Sequence, residues 1–180
     1  MIYKKYVIVS LIQSINCMKI FDEPAALNSV AKFHHTFDLP VESEPKIPDP
    51  ARCKLRINLL EEELEELKVA IEQGDIVEAA DAFADLQYVL SGAILEFGLG
   101  DRFEAIFDEV QRSNMSKVCK NREEAEATLT HYRLAKGMEG EIMQKDDQYL
   151  VYRKSDRKVL KSVNYAEAKL EPIVNGLAVS

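Results

Sequence analysis

The sequence contains no tryptophan, so no indole can serve as a stacking platform. Cysteine is scarce: Cys17, Cys53 and Cys119 are far apart, odd in number and form no CxxC pair. That argues against a disulfide framework or a cysteine zinc site and fits a reducing, cytoplasmic setting. Long apolar runs are missing as well. The stretch Tyr6-Val7-Ile8-Val9-Ser10-Leu11-Ile12, behind Lys4 and Lys5, is too short to span a membrane. No small-x-small cleavage site follows it, so residues 1–19 are expected to be a disordered extension, or a start codon is placed too early and Met18 is the functional start. Positive charge is in deficit. A formal net charge of -8 disfavours a nucleic-acid backbone as partner.

At 180 residues the chain is long enough to bury a core without disulfides. The spacing predicts an all-α fold, a four- to five-helix bundle-like core over residues 20–137, with a small β-hairpin appendage over 138–180. A first helix over about 24–37, capped by Asp22, carries Ala26, Val30, Phe33 and Phe37 on one face. Pro40, Pro45, Pro48 and Pro50 then force an extended connection. A second helix over about 50–73 has a seam of Cys53, Ile57, Leu60, Leu64, Leu67 and Ile71. Gly74 stops it, and Asp75 caps a third helix over about 76–98 that is apolar nearly all round and therefore expected to be buried. Asp101 can cap a fourth helix over 102–116, with Phe103, Ile106, Phe107 and Val110 facing the core. Asn121 with Glu124 resembles a capping box for a fifth. Tyr149–Tyr152 and Val159–Val163 flank Ser155-Asp156-Arg157 as a predicted hairpin, with a short helix after Asn164.

Two acidic stretches break the usual polar-out rule. Glu61, Glu62, Glu63, Glu65 and Glu66 crowd the second helix, where like charges one turn apart repel. Taken alone, a solvated acidic face explains them about as well as a binding site. Leu59, Glu63, Glu66 and Ala70 share one stripe, so Glu63 and Glu66 border the packed side. On the third helix, Glu78, Asp81, Asp85 and Tyr88 form a polar stripe among Ala79, Ala80, Ala82, Phe83, Ala84 and Leu86. A buried carboxylate without a partner is costly, and no Lys or Arg lies between Lys68 and Arg102. The short link at Gly74-Asp75 makes the two helices antiparallel neighbours, so the stripes face each other. Converging carboxylates suit Mg²⁺ or Mn²⁺, and the lack of histidine here argues against zinc or a diiron site. Such a metal suits phosphate chemistry, with a spare glutamate such as Glu62 as general base. Arg112, Asn114, Lys117 and Lys120 follow the fourth helix as candidate phosphate contacts, or as a basic helix end.

These residues resemble a known family. Glu62-Glu63-Leu64-Glu65-Glu66-Leu67 is similar to the EExxEL motif of the all-α nucleoside triphosphate pyrophosphohydrolases, the MazG-like and phosphoribosyl-ATP pyrophosphohydrolase-like superfamily. Asp81-Ala82-Phe83-Ala84-Asp85-Leu86-Gln87-Tyr88-Val89 resembles its second acidic motif, and Phe107 to Lys117 its EVHRSNMSK segment. Phe33-His34-His35-Thr36-Phe37 with Pro40 resembles its FHxxF…P first helix. The ordered set covers about residues 20–120. The resemblance implies a cut between the α and β phosphates of a nucleotide, giving a monophosphate and pyrophosphate. It implies Mg²⁺ held by Glu62, Glu63, Glu66 and Asp85, with Asp81 close by. It implies substrate contacts from Asn114 and Lys117, with Arg112, and a homodimer or homotetramer with sites built partly between subunits. Ala82 stands where many relatives carry an acid, so Asp81 and Glu78 compete for the fourth ligand position. Gln111 replaces a histidine common in the family.

Within this frame a (d)NTP pyrophosphohydrolase is the leading reading. Phosphoribosyl-ATP hydrolysis is the alternative, disfavoured by the lack of an accompanying cyclohydrolase-like segment. A non-catalytic acidic module that binds a basic partner is a third. Phe33, His34 and Tyr88 are candidates to border the base, each with an equally good role in the core.

Overall fold

The computed structural model describes residues 20–176. The expected disordered extension at 1–19 and the proposed start at Met18 therefore lie outside the described residues. Six helices and one hairpin follow in order: α1 (Ala26–Thr36), α2 (Pro50–Gln73), α3 (Ile76–Glu96), α4 (Phe103–Met115), α5 (Arg122–Lys136), β1 (Gly140–Lys145), β2 (Gln148–Arg153) and α6 (Leu170–Val174). The all-α reading with a small β appendage holds. Among the described residues no helix is long and apolar enough to cross a membrane.

Helix ends follow local chemistry. The Asp49 carboxylate accepts from the N–H groups of Ala51 and Arg52 at 3.0 and 3.1 Å, and Pro50 occupies the first turn of α2, where no donor is needed. Gly74 closes α2 in the left-handed conformation at φ 68°, and Asp75 caps α3 through Val77 and Glu78. Two expected caps are absent. The α1 N-cap is Ala25, without a side-chain bond, so Asp22 does not cap it. A 3₁₀ turn at Gly100–Arg102 delays α4 to Phe103, which removes Asp101 from the cap position.

Helix α3 is the central element, packed by α1 and α2. Leu67 and Ala70 of α2 meet Ala79 and Ala82 of α3, with Leu86 against them. Small alanines let the two backbones approach closely. The expected burial of α3 is fullest in its second half, where Ser91, Gly92, Ile94, Leu95 and Glu96 are buried. In its first half only the face of Ala79 and Ala82 is buried, and the rest is open: Ile76 is 78 %, Val77 71 % and Phe83 58 % exposed. The predicted α2 seam also divides. Leu67 is buried, whereas Ile57, Leu64 and Ile71 face outward on their own stripe, and Arg56 and Ala70 take the inner places. On α1 the buried residues are Val30 and His34, with Phe33 and Phe37 exposed. On α4, Phe107 and Val110, expected in the core, are exposed too.

The proline-rich link lies across the end of α3, with Glu42 N–H on the Leu95 carbonyl at 3.0 Å and Lys46 N–H on that of Phe97 at 3.1 Å. Gly98 permits this approach: it sits at φ 66°, and a Cβ there would collide with the Glu44 carbonyl. Gly98→Ala should therefore destabilise the fold by roughly 1–3 kcal/mol, read as a lower urea midpoint at unchanged slope.

A second core joins α5 to the hairpin through Cys119, Ala125, Tyr132, Val151 and Leu160. The hairpin differs from the predicted one. Strand β2 pairs with the upstream β1, in register Gly140↔Arg153 to Lys145↔Gln148. Asp146 at φ 55° forms the turn, a position that Asp tolerates better than most residues. Val159 contributes a single bridge to Tyr152.

Candidate functional site

The Gly74-Asp75 turn folds α3 back along α2 and sets the two acidic stripes opposite each other. Glu62, Glu65, Glu66, Glu78 and Asp81 line a groove of about 640 Å³ whose floor includes Ala70. No Lys, Arg or His lines it. Glu63 is half-buried beside it, and Asp85 is half-buried on α3. Partial burial, then the charges of Asp85, Glu66, Glu62 and Asp81, push the Glu63 carboxyl above its ordinary range. The charge of Asp85 on the opposite helix thus weighs on Glu63 as well as those of its own helix. Asp81 and Glu78 are exposed, so the sequence argument that burial itself demands a cation applies to Glu63 and Asp85 and not to Asp81. Glu78 and Asp81 line the groove together, and both remain available as the fourth acid.

Among the described residues no three His, Cys, Asp or Glu side chains converge closely enough to enclose a cation. Repulsion favours such a spread, since Glu62, Glu66, Glu78 and Asp81 share a groove that no basic residue lines. Within the glutamate run, the ion pair found among the described residues is Glu65 with Lys68 at 2.8 Å, outside the facing stripes. The donor set is all carboxylate oxygen on two exposed helix faces. It fits a hard divalent cation by chemistry, with side-chain rotation needed to gather the ligands.

The candidate substrate residues are scattered. His34 is 2 % exposed, and both ring nitrogens are engaged: Nδ1 lies 2.8 Å from the Pro40 carbonyl and Nε2 3.1 Å from Arg56 Nη2. It is a core residue whose ring also lines the small cavity beside Tyr88. Tyr88 is 39 % exposed, edge-on to Phe33 at 5.7 Å. Both line a cavity of about 200 Å³ with Val30, Leu39 and Leu59, and His34, Arg52 and Arg56 also line it. Leu59 and Tyr88 lie one helical turn from Glu63 and Asp85 respectively, so the cavity adjoins the facing carboxylates. Arg112 donates to the Glu109 carboxylate at 2.6 and 2.7 Å and to the Glu167 carbonyl at 2.9 Å. Lys117 Nζ donates to Asn114 Oδ1 at 2.6 Å. None of Arg112, Asn114 or Lys117 lines the carboxylate groove.

The sequence reading missed a buried charge cluster. Glu96 is 1 % exposed and takes both Arg52 and Arg56, and Arg56 reaches His34. Burial pushes the Glu96 carboxyl up, but the two guanidiniums overrule it and hold it below the ordinary range. Two signals were present: Arg52 and Arg56 sit one turn apart, and Glu96 interrupts the apolar run from Ile94 to Phe97. The cluster ties α1, α2 and α3 together behind the site.

Residues 30–114 match the family described as phosphoribosyl-ATP pyrophosphohydrolase. The match runs from the middle of α1 to the end of α4, includes both acidic stripes, and supports a related all-α pyrophosphohydrolase-like fold. The hairpin and α5 lie beyond it. An uncharacterized protein of Acanthamoeba polyphaga mimivirus is 24% identical, over 74% of this chain and 89% of that protein.

Proposed function

We propose that the groove between α2 and α3 binds a divalent metal, Mg²⁺ or Mn²⁺, and that the chain hydrolyses the α–β phosphate anhydride of a nucleotide there, releasing a monophosphate and pyrophosphate. The observation that carries this reading is the pair Glu63 and Asp85, half-buried on adjacent helices with no basic residue lining the adjoining groove. Glu62, Glu63, Glu66 and Asp85 would hold the ion, with Asp81 or Glu78 completing the set. A bound ion supplies charge neutralisation for the phosphates and lowers the pKa of a coordinated water. Glu62 is exposed at the groove and is assigned as the base that takes the proton of the attacking water.

The family match favours phosphoribosyl-ATP over a plain (d)NTP and so reverses the tilt of the sequence reading. Both substrates present the same triphosphate to the carboxylates. They differ in the base and in what the cavity beside Tyr88 must admit. A non-catalytic acidic module predicts no facing aspartate stripe and is the weaker reading.

The groove lacks cationic partners for phosphate, and the apolar stripes of α2 and α3 are open. A second copy that covers Ile57, Leu64, Ile71 and Phe83 and brings Asn114 and Lys117 to the groove would meet both needs. The proposal therefore includes a homodimer or homotetramer. Incubation with a panel of NTPs, dNTPs and phosphoribosyl-ATP, with Mg²⁺ or with EDTA, tests the chemistry. Monophosphate plus pyrophosphate, abolished by EDTA, is the expected result. Single-phosphate release, or no turnover on any member, would sink the reading. Sedimentation of Phe83→Glu should show a smaller species than the parent chain.

A further inference from the structure

The end of α4 is fastened to the chain's own C-terminal segment. Glu109, Arg112, Ser113 and Ser116 recur on one face of the helix. Lys169 N–H donates to the Glu109 carboxylate at 2.7 Å, and Arg112 Nη2 donates to the Glu167 carbonyl at 2.9 Å. Ser113 Oγ lies 3.0 Å from the Tyr165 hydroxyl, and Ser116 Oγ accepts from Ala166 N–H at 3.0 Å. Arg112 also closes a two-bond fork on Glu109, whose carboxyl is held down to about 2 by Arg112 first and the Lys169 N–H second. One turn beyond the helix, buried Cys119 exchanges backbone bonds with Tyr149 of β2 at 2.9 and 3.0 Å. The helix end is thus held by the strap at 165–169 on one side and by the hairpin just past it.

Phe107, Val110, Asn114 and Lys117 recur on a different face, which the strap leaves free. Phe107 is 62 % exposed and Asn114 is exposed. The stretch Arg112 to Lys117 therefore divides by face. Arg112, Ser113 and Ser116 turn to the strap, and Asn114 and Lys117 turn away from it. A guanidinium held in a carboxylate fork is already neutralised and is poorly placed to meet a phosphate.

We propose that Tyr149 and residues 165–169 form a clamp on the end of α4, with Arg112 and Glu109 as positioning residues that fix the turn presenting Asn114 and Lys117 to the substrate. The role given to Asn114 and Lys117 rests on the pyrophosphohydrolase reading. Helix ends fray unless tied, and a frayed last turn must be ordered again at each binding event. Loss of the clamp should therefore weaken substrate binding more than the chemical step.

The experiment combines amide hydrogen exchange over residues 165–169 with steady-state kinetics on Arg112→Ala, Glu109→Ala and the double variant. Tyr165→Phe is the mildest cut and guards against a general loss of fold. Each alanine variant should speed exchange in the strap at least about tenfold and raise KM roughly fivefold, with kcat within about twofold. The double variant should be no worse than either single one, because both cut the same fastening. Tyr165→Phe should show the same changes at smaller size. Unchanged exchange in both single variants overturns the proposal, as does a loosened strap with unchanged KM. A loss of more than about a hundredfold in kcat/KM for Arg112→Ala alone also overturns it, by making Arg112 a phosphate contact. If the parent chain turns over no nucleotide, the pyrophosphohydrolase reading and the positioning role fall together, while exchange still decides whether the clamp exists.

Discussion

Glu66→Gln and Asp85→Asn should each lower nucleotide turnover by roughly a thousandfold or more while leaving the helical fold intact. The two residues lie on different helices, Glu66 lining the groove and Asp85 half-buried one turn past Asp81, so each substitution removes a carboxylate from a different helix. If the two are the proposed metal ligands, losing either would weaken both the charge neutralisation of the phosphates and the activation of water, so one neutral amide would suffice. Stability should move the opposite way, and Glu63→Gln shows why. The folded chain disfavours ionised Glu63, whose carboxyl is pushed up by partial burial and by Asp85, Glu66, Glu62 and Asp81. Stability linked to such a group is fully present below the ordinary carboxyl pKa and is lost as pH rises through the raised one. At pH 7 without metal, Glu63→Gln should therefore stabilise the chain by about 0.3–0.5 kcal/mol. Mg²⁺ should raise the melting temperature of the parent and do so less for Glu63→Gln. Circular dichroism with thermal melts, beside product analysis, reads all of this. Substantial turnover in either Glu66→Gln or Asp85→Asn would mean that the ligands are misassigned.

The helices were legible because their punctuation is local. Gly74-Asp75 and Asn121 with Glu124 act within four residues, and each ends or starts a helix where the sequence says it does. The acidic stripes were legible for a related reason: helical spacing settles which residues share a face. Which face is inward was harder to read. Ile57, Leu64 and Ile71 are the most apolar choice for an α2 seam, yet Arg56 lies inside because Glu96, forty residues away, lies inside too. Pairing at that range leaves no periodic trace. The hairpin failed differently. The segment Glu141-Ile142-Met143-Gln144 is a weak strand by composition, but an Asp146-Asp147 turn brings it against Tyr149–Tyr152 sooner than Val159 can arrive. The strap contacts on α4 were likewise invisible, since they are made largely by backbone groups of residues 166–169.

The largest loss of stability is expected at Glu96. Its carboxylate is 1 % exposed and balances two guanidiniums, of which Arg56 is itself 7 % exposed with an unbonded Nε. Glu96→Ala leaves buried Arg56 without its ion-pair partner and Arg52 with only the charge of Asp49 nearby, and breaking a buried pair in this way costs about 3–5 kcal/mol. Arg56 has little room to withdraw, since a Cβ added at Gly92 would already stand 2.7 Å from its Nη1. Arg56→Met should cost less than Glu96→Ala, because Glu96 keeps Arg52, which is less buried and better able to adjust. The pH dependence has a definite sign. The arginines hold the Glu96 carboxyl below its ordinary range, so the stability it supplies is full above the ordinary carboxyl pKa and is lost as pH falls through the lowered one. The stability gap between the parent and Glu96→Ala in urea melts should thus narrow as the pH is taken down from 7 through the acid range. The site would feel the same loss. Arg56 lies two turns before Glu63 along α2, and Glu96 about three turns beyond Asp85 along α3. When the cluster is cut, the facing walls of the groove lose the tie that holds them in register. Equal stability of Glu96→Ala and the parent at pH 7 would show that the three helices are held by apolar packing alone.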